Sequence, residues 1–207
     1  MSSRHEILDR VRKNQPAPRP LPNVPMFDAG VAASLDAFRT ALSRMGGRFM
    51  PAADDQDLDA QVHALFPDAK VVCSATPEVK GNRPIDSIRA PRDLHDVDVG
   101  VVRAVFGVAE TGSIWLSDAE FGVSALGFLS QHLIVLLDPQ AIVTNMHRAY
   151  QHPGLFTADY SVFMTGPSAT ADIEGVLIHG AQGVRTMSVI PCRRGAPLPL
   201  APQVRRQ

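Results

Sequence analysis

Apolar residues recur at helical spacing in three stretches near the start of the chain. A stripe of Ile7, Leu8 and Val11 predicts a helix over residues 3–13, and Ser3 and Glu6 have the spacing of a capping box. Two more predicted helices end at Gly46–Gly47 and at Pro67: residues 31–45, with Leu35, Phe38, Leu42 and Met45 on one face, and residues 58–65, with Leu58, Val62 and Leu65.

Short apolar runs predict buried strands at Val71–Ala75, Leu133–Leu137 and Tyr160–Met164, of which Leu133–Leu137 is continuously apolar. A last strand is predicted at Val184–Ile190. Between residues 97 and 118, two β-rich runs flank Ala109–Gly112, which predicts a hairpin. Residues 76–93 are polar and rich in turn residues, so we expect a long surface loop there.

Two further helices are expected between the later strands. One begins at Pro139, with Ile142, Val143, Met146 and Tyr150 on one face. The other begins near Ser168 or Thr170, carries Ile173, Val176 and Leu177, and ends at Gly180 and Gly183. Helices between buried strands predict an α/β fold, with a mixed or parallel sheet flanked by helices.

Five prolines between residues 16 and 25 separate the first helix from the rest of the chain. Proline lacks an amide donor and fixes φ, so this segment is an extended linker and the first helix is an arm. We expect an arm and linker over residues 1–25, an α/β domain over 26–191 and a flexible tail over 192–207. The apolar stripe of the arm is expected to dock on its own domain or on another subunit, as in a homodimer.

Composition narrows the class of protein. The chain has 207 residues, 45% of them hydrophobic, and a net charge of −1, which gives no general attraction to nucleic acid or to anionic membranes. We expect the charged amino terminus to open a helix and not the apolar core of a signal peptide, and the longest apolar run near a strand, Leu133–Leu137, is too short to span a bilayer. We therefore expect a cytoplasmic protein in which Cys73 and Cys192 are reduced and Cys73 is buried.

The first candidate site is the tip of the predicted hairpin. Glu110, followed by Thr111 and Gly112, is a candidate general base, nucleophile toward an acyl group, or acceptor of a hydrogen bond from a substrate hydroxyl. Alternatively, its carboxylate ties the turn by accepting backbone amides. The outline of a phosphate-binding loop fails here, because no lysine precedes Ser113 and a strand follows.

The second candidate site is the segment from Thr165 to Glu174. A helix N-terminus after a buried strand offers free amides, so Thr165, Gly166, Ser168 and Thr170 are candidates for binding a carboxylate or phosphate at the carboxyl ends of the strands. Alternatively, Ser168 or Thr170 caps the helix, and Asp172 and Glu174 complement its dipole.

No metal site or cofactor is expected. The two histidines His147 and His152 are five residues apart, as are Glu174 and His179, and this spacing does not match that of helical metal motifs. We expect His132 and His179 to be packed and hydrogen-bonded. The chain lacks a dinucleotide-binding glycine motif, and two cysteines cannot ligate an iron–sulfur cluster alone.

The strings Ala109–Ser113 and Thr165–Glu174 resemble those of the lactate utilisation protein C family, the stand-alone form of the LUD domain. The strand led by His132, the Gly180–Gly183 turn and the arm with its proline-rich linker are also similar. The resemblance covers roughly residues 95–191. The positions that match the family motifs are expected to line one cleft: Glu110, Thr111, Gly112, Thr165, Gly166, Ser168, Thr170, Asp172 and Glu174.

The resemblance implies a fold similar to the sugar-phosphate isomerase and CoA-transferase superfamily. It also implies a non-redox subunit or accessory protein that works with iron–sulfur partner proteins in the oxidation of L-lactate to pyruvate. Two alternatives stay open: a free-standing enzyme that uses Glu110 on a small acid, acyl-CoA or sugar phosphate, and a regulator that binds a small carboxylate or another small molecule.

Overall fold

The computed structural model describes residues 3–51, 57–173 and 175–194. Its helices are α1 (Ser3–Lys13), α2 (Leu35–Arg44), α3 (Leu58–Leu65), α4 (Asp118–Phe121), α5 (Leu126–Leu129) and α6 (Met146–Ala149). Its strands are β1 (Arg48–Phe49), β2 (Val72–Ser74), β3 (Arg83–Pro84), β4 (Val99–Arg103), β5 (Phe106–Val108), β6 (Ser113–Ser117), β7 (His132–Leu137), β8 (Ile142–Val143), β9 (Ser161–Met164), β10 (Ala169–Ile173), β11 (Val176–His179) and β12 (Thr186–Pro191).

A parallel six-stranded sheet forms the centre of the molecule, in the order β1-β12-β7-β4-β2-β3. Strand β7 shows why its sequence is continuously apolar. Leu133 and Val135 face the core that holds Phe38 and Leu42 of α2, whereas Ile134 faces the core that holds Val62 of α3. Helices therefore cover both faces of the sheet, and the predicted α/β fold is confirmed.

A smaller mixed sheet packs beside the first, in the order β8-β5-β6-β9. The predicted β-rich run from Val99 onward is divided between the two sheets, because the chain crosses from one to the other at Ala104 and Val105. Ala104 donates to the Leu136 carbonyl of the parallel sheet, and Val105 donates to the Trp115 carbonyl of the mixed sheet. The predicted hairpin is β5 and β6 alone, joined by residues 109–112.

The helix predicted from Pro139 is wrong. The Asp138 carboxylate caps a single 3₁₀ turn over Pro139–Ala141, and the β-branched pair Ile142–Val143 then forms β8 beside β5. Asn145 starts a new, short helix, α6, by accepting the amide of Arg148. The spacing of the apolar residues also suits a helix, but a β-branched pair beside an open strand edge favours a strand here.

The helix predicted after Ser168 is also wrong, because β10 and β11 form an antiparallel hairpin there. Ile173 pairs with Val176, and Gly175 in the turn between them has a φ of 71°. Glycine reaches that left-handed region without a Cβ penalty, and β-branched residues on either side suit strands. Gly180 and Gly183 lie in turns after the hairpin and do not end a helix.

The arm α1 forms as predicted, but none of its residues is buried, and Ile7 and Val11 are exposed. The structure therefore shows no docking of its stripe on its own domain, and docking on another subunit stays a prediction. The loop over 76–93 contains β3, a 3₁₀ turn over Ile85–Ser87 and most of a second over Pro91–Leu94. Arg83 Nη2 anchors the loop by donating to Asp96 Oδ2 at 2.9 Å. Residues 195–207 of the predicted tail lie outside the described residues.

Candidate functional site

The tip of the β5–β6 hairpin is pressed against helix α2. The Gly112 amide closes the turn by donating to the Val108 carbonyl at 2.9 Å, and Gly112 has a φ of 69°. A Cβ atom at Gly112 would lie 2.1 Å from the Leu42 nitrogen and 2.7 Å from the Ala41 carbonyl carbon. Only glycine fits here, so the tip has a fixed position beside the last turns of α2.

Glu110 is exposed at this tip and is tied to helix α6. Its Oε2 accepts the backbone amide of Met146, the first residue of α6, at 3.0 Å. The Glu110 amide itself donates to the Thr144 carbonyl at 3.1 Å. The carboxylate thus accepts a backbone amide of α6 and not one of its own turn, which differs from the turn-tying alternative, and Oε1 has no hydrogen-bond partner among the described residues.

Three hydroxyl groups meet beside the tip and form the hydroxyl cluster: Thr111, Ser113 and Thr165. Ser113 Oγ lies 2.7 Å from Thr111 Oγ1 and 2.5 Å from Thr165 Oγ1. Strand register explains the meeting, because Ile114 of β6 pairs with Met164 of β9, which places the preceding Ser113 beside the following Thr165. The structure thus brings together hydroxyls from both candidate segments.

A cleft of about 400 Å³ opens over the hydroxyl cluster, and we call it the hydroxyl cleft. It is lined by Ala41, Arg44, Met45, Glu110, Thr111, Ser113 and Thr165. The Arg44 side chain forms no hydrogen bond or ion pair within the part of the chain that the structure describes. A guanidinium without a carboxylate partner, three hydroxyls and one carboxylate therefore share one concave surface.

Sequence reasoning missed Arg44. Its position in the last turn of α2 is the usual place for a cation that complements the helix dipole, so the sequence alone marks it as ordinary. The turn at Gly46–Gly47 was the available signal, because a sharp turn directly after an arginine keeps the following chain close to it.

A second cleft, of about 280 Å³, lies on the other side of Glu110. The segment after the proline-rich linker forms one wall, with Phe27 and Val31 facing Ala109 and Asn145. Several contacts hold this segment on α6. Asn145 Nδ2 donates to the Met26 carbonyl at 2.7 Å, and Arg148 pairs with Asp28. The Arg148 hydrogen bond lowers the pKa of the Asp28 carboxyl.

The second motif is split between two places. Thr165 belongs to the hydroxyl cluster, and a Cβ at Gly166 would lie 2.2 Å from the Met45 carbonyl oxygen, so Gly166 packs directly under the end of α2. Ser168 donates its amide to the Val184 carbonyl at 2.9 Å. Thr170 lies on β10 opposite Ile178.

Asp172 is not among the residues that line the hydroxyl cleft. The backbone of Asp172 lies on β10, beyond Thr170, and Glu174 lies outside the described residues. The predicted amide-rich helix N-terminus does not exist, because this segment is a hairpin. The shared cleft is therefore built by Glu110, Thr111 and Thr165, with Gly112 and Gly166 behind it.

The carboxyl edge of the parallel sheet, where ligands gather in many α/β proteins, holds a different cluster. Arg103 ends β4, pairs with Glu78 at 2.5 Å and donates to Cys192 Sγ at 3.0 Å. Thr165 follows β9 of the mixed sheet, so it lies away from this edge. The predicted position of the second motif at the ends of the parallel strands is corrected accordingly.

Residues 82–190, more than half of the chain, match the family model of the LUD domain. The chain belongs to the LUD domain family. The sequence resemblance is thereby confirmed, and Glu110, Ser113 and Thr165 of the hydroxyl cleft lie inside the matched region. Arg44 and the rest of α2 lie before it.

Two known proteins are similar to this LUD chain. Lactate utilization protein C of Shouchella clausii (strain KSM-K16) is 27% identical over 103 residues, which are 47% of this chain and 45% of that protein. The matched part thus spans less than half of that relative. The crystal structure of a DUF162 family protein from Deinococcus radiodurans has a TM-score of 0.59 at 16% identity and covers 76% of this chain and 94% of its own. That likeness shows the fold.

His132 of the LUD domain is packed and hydrogen-bonded, as predicted. Its ring stacks on Phe66 with centroids 4.4 Å apart, and Nδ1 lies 2.8 Å from Thr186 Oγ1. Burial lowers the pKa of His132, and the positive charge of Arg185 lowers it further. His132 lines a cavity of about 330 Å³ at the amino ends of the parallel strands, apart from the hydroxyl cleft.

No three His, Cys, Asp or Glu side chains stand close enough to hold a metal ion within the described ranges. In the same part of the chain, no helix has the length and apolar character needed to cross a bilayer. Cys73 is buried as predicted, and both cysteines are free thiols.

Proposed function

We propose that this LUD protein takes part in the use of L-lactate, as a non-redox subunit that binds the small hydroxy acid or its keto product. The observation that carries the proposal is the unpaired Arg44 guanidinium beside the hydroxyl cluster. A guanidinium suits a carboxylate because its donors match the two oxygens. Hydroxyls that donate and accept suit a 2-hydroxyl or a 2-keto oxygen equally well.

The size of the cleft agrees with a ligand of this kind. Its volume of about 400 Å³ lies in the range of small-molecule sites, roughly 300–1,000 Å³. The name of the Shouchella clausii relative supports the same assignment, because that protein is called a lactate utilization protein.

Oxidation of lactate to pyruvate releases two electrons and two protons, and the electrons need a carrier. An all-cysteine iron–sulfur cluster takes four cysteines, whereas this sequence has two, of which Cys73 is fully buried. We therefore propose that iron–sulfur partner proteins carry the electrons while this chain holds the acid. We place the system in the cytoplasm, where free thiols such as Cys73 and Cys192 persist.

Binding of L-lactate tests the proposal directly. Calorimetric titration of the whole chain with L-lactate and with pyruvate is expected to give saturable binding. Arg44→Gln should weaken it about tenfold or more, since losing a charged hydrogen bond costs about 1.5–3 kcal/mol. Arg89→Gln is the matched control, because Arg89 is an exposed arginine outside every cleft described here. Absence of binding to the unaltered protein, or equal weakening by both variants, would contradict the proposal.

A second function, an enzyme that uses Glu110 as a base, is favoured by one observation. Glu110 lines both clefts and has only Oε2 engaged, so Oε1 is free to take a proton. Glu110→Gln separates the two functions, because the amide oxygen still accepts from Met146 while the charge is lost. Growth of a deletion strain on L-lactate, restored by the gene for Glu110→Gln, would favour the binding subunit, and failure with a folded variant would favour the enzyme.

A further inference from the structure

A second concave surface, which we call the arginine groove, lies at the carboxyl end of α2. Arg39 and Arg44 come from the helix, and Arg48 is the first residue of β1. Gly46 has a φ of 81°, and the Gly47 amide donates to the Leu42 carbonyl at 3.0 Å, so the chain turns back directly after the helix. This turn places the three guanidinium side chains around one groove of about 600 Å³.

The positive charge in the arginine groove is largely uncompensated. Asp36 is the single carboxylate that lines it, and its Oδ1 is 3.5 Å from Arg39 Nη1, with both side chains more than half exposed. Neither the Arg44 nor the Arg48 side chain has an ion pair or hydrogen bond within the described ranges. Since the whole chain carries a net charge of −1, two unpaired guanidiniums in one concavity are a local excess.

The wall of the groove holds one of its guanidinium groups in position. The Arg39 guanidinium carbon lies 5.3 Å from the centroid of the Phe49 ring, which is a cation–π contact. A guanidinium stacked on a ring keeps its donor edge free for an anion. Ser43 adds a hydroxyl to the lining.

We propose that the arginine groove binds a small molecule that carries a phosphate group, at a site that adjoins the hydroxyl cleft, shares Arg44 with it and differs from it by Arg39 and Arg48. Phosphate carries about two negative charges at neutral pH and has several acceptor oxygens, so it matches a set of arginines better than a singly charged carboxylate does. The groove volume lies within the small-molecule range of roughly 300–1,000 Å³.

Arg44 and Arg48 also have ordinary structural roles that need no ligand. Arg44 complements the dipole at the end of α2, and Arg48 places a charge on β1, an edge strand of the parallel sheet. These roles predict no affinity for phosphate above general ionic screening. The two explanations therefore differ in one measurable quantity, which is saturable phosphate binding that depends on Arg48.

The test is a calorimetric titration of the whole chain with inorganic pyrophosphate, at ionic strength held constant with chloride. We expect saturable binding that Arg48→Gln weakens about tenfold or more, a change of about 1.4 kcal/mol. Arg89→Gln removes the same charge outside the groove and should leave the affinity unchanged within about twofold. Thermal unfolding of each variant checks that it is folded.

The experiment can contradict the groove proposal without contradicting the lactate proposal. Arg48 lines the arginine groove and not the hydroxyl cleft, so Arg48→Gln should leave L-lactate binding unaltered. Lack of pyrophosphate binding, equal weakening by Arg48→Gln and Arg89→Gln, or an unchanged affinity in Arg48→Gln would each overturn the groove proposal. Binding to anionic lipid vesicles without pyrophosphate binding would also overturn it and would point to a membrane surface.

Discussion

The two segments that carry the family motifs lie in different surroundings, one packed against a helix and the other exposed. The tip of the β5–β6 hairpin is wedged against α2, where a Cβ at Gly112 would lie 2.1 Å from a backbone nitrogen. The β10–β11 hairpin stands away from the body, with Val176 60% and Leu177 56% exposed and nothing within 4 Å of a Cβ placed at Gly175. Similar strings of small and acidic residues thus serve a buried contact in one place and an exposed turn in the other.

This contrast shows that glycine can be required for two different reasons, a left-handed backbone and a lack of space for a Cβ atom. Gly112 and Gly175 have nearly the same φ, 69° and 71°, so both avoid the strain that a Cβ brings to left-handed backbone. Only Gly112 also needs the space that the missing Cβ leaves. The position of Glu110 and Thr111 in the hydroxyl cleft depends on that close approach.

The largest expected effect compares these two glycines. Gly112→Ala should lower the free energy of unfolding by about 4 kcal/mol, because left-handed backbone costs about 1–2 kcal/mol and overpacking about 1–3 kcal/mol. Gly175→Ala should cost about 1–2 kcal/mol, the backbone contribution alone. Urea unfolding followed by the fluorescence of Trp115, the single tryptophan, measures both. Equal losses would mean that the tip is not wedged against α2.

The parallel sheet was predictable because its strands are apolar on both faces. The run Leu133–Leu137 faces α2 on one side and α3 on the other, so every consecutive residue of the run is apolar. The helices α2 and α3 were equally readable, because Phe38 and Leu42, or Leu58 and Val62, follow the helical period and turn signals end each pattern.

The β10–β11 hairpin was not predicted, because its apolar spacing also fits a helix. Ile173, Val176 and Leu177 are three and four residues apart, which is helical spacing. The decisive signals were Gly175 inside that pattern and the β-branched residues around it, which favour a two-residue turn between strands. Periodicity alone cannot separate these structures over so short a segment.

Only part of the candidate site could be predicted from the sequence. Glu110, Thr111 and Thr165 were found because each follows an apolar run. Arg44 was missed because the hydroxyl cleft forms between α2 and a hairpin far along the chain. Only the tertiary fold shows that the end of α2 faces the hairpin tip.

The second test separates the hydroxyl cluster from the exposed hairpin. Ser113 is 5% exposed and its hydroxyl contacts both Thr111 and Thr165, so Ser113→Ala leaves two hydroxyls with a lost partner. We expect a loss of about 1–2 kcal/mol in the free energy of unfolding. Thr170→Val changes a hydroxyl on β10 that has no hydrogen bond among the described residues and should cost less than about 0.5 kcal/mol. If Thr170→Val lowers the free energy of unfolding more than Ser113→Ala does, the β10–β11 hairpin contributes more to stability than the hydroxyl cluster.

The smallest expected effect concerns pH. It tests whether the parallel and mixed sheets unfold together as the pH changes. The pKa of His132 is lowered below its ordinary value of 6.5, so the unfolded chain binds a proton more readily than the folded one. Neutral His132 therefore supports folding above about pH 6.5, and this support is lost as the pH falls through the lower pKa of the folded state.

His132→Asn should consequently reduce the difference in melting temperature between about pH 7.5 and about pH 5.5. Trp115 lies in the mixed sheet, whereas His132 begins a strand of the parallel sheet, so Trp115 fluorescence reports unfolding away from the titrating group. If the parallel and mixed sheets unfold together, the fluorescence transition moves with pH in the unaltered protein and moves less in His132→Asn. A fluorescence transition with the same pH dependence in both proteins would contradict this prediction, because protonation of His132 would then have no effect on the unfolding of the mixed sheet.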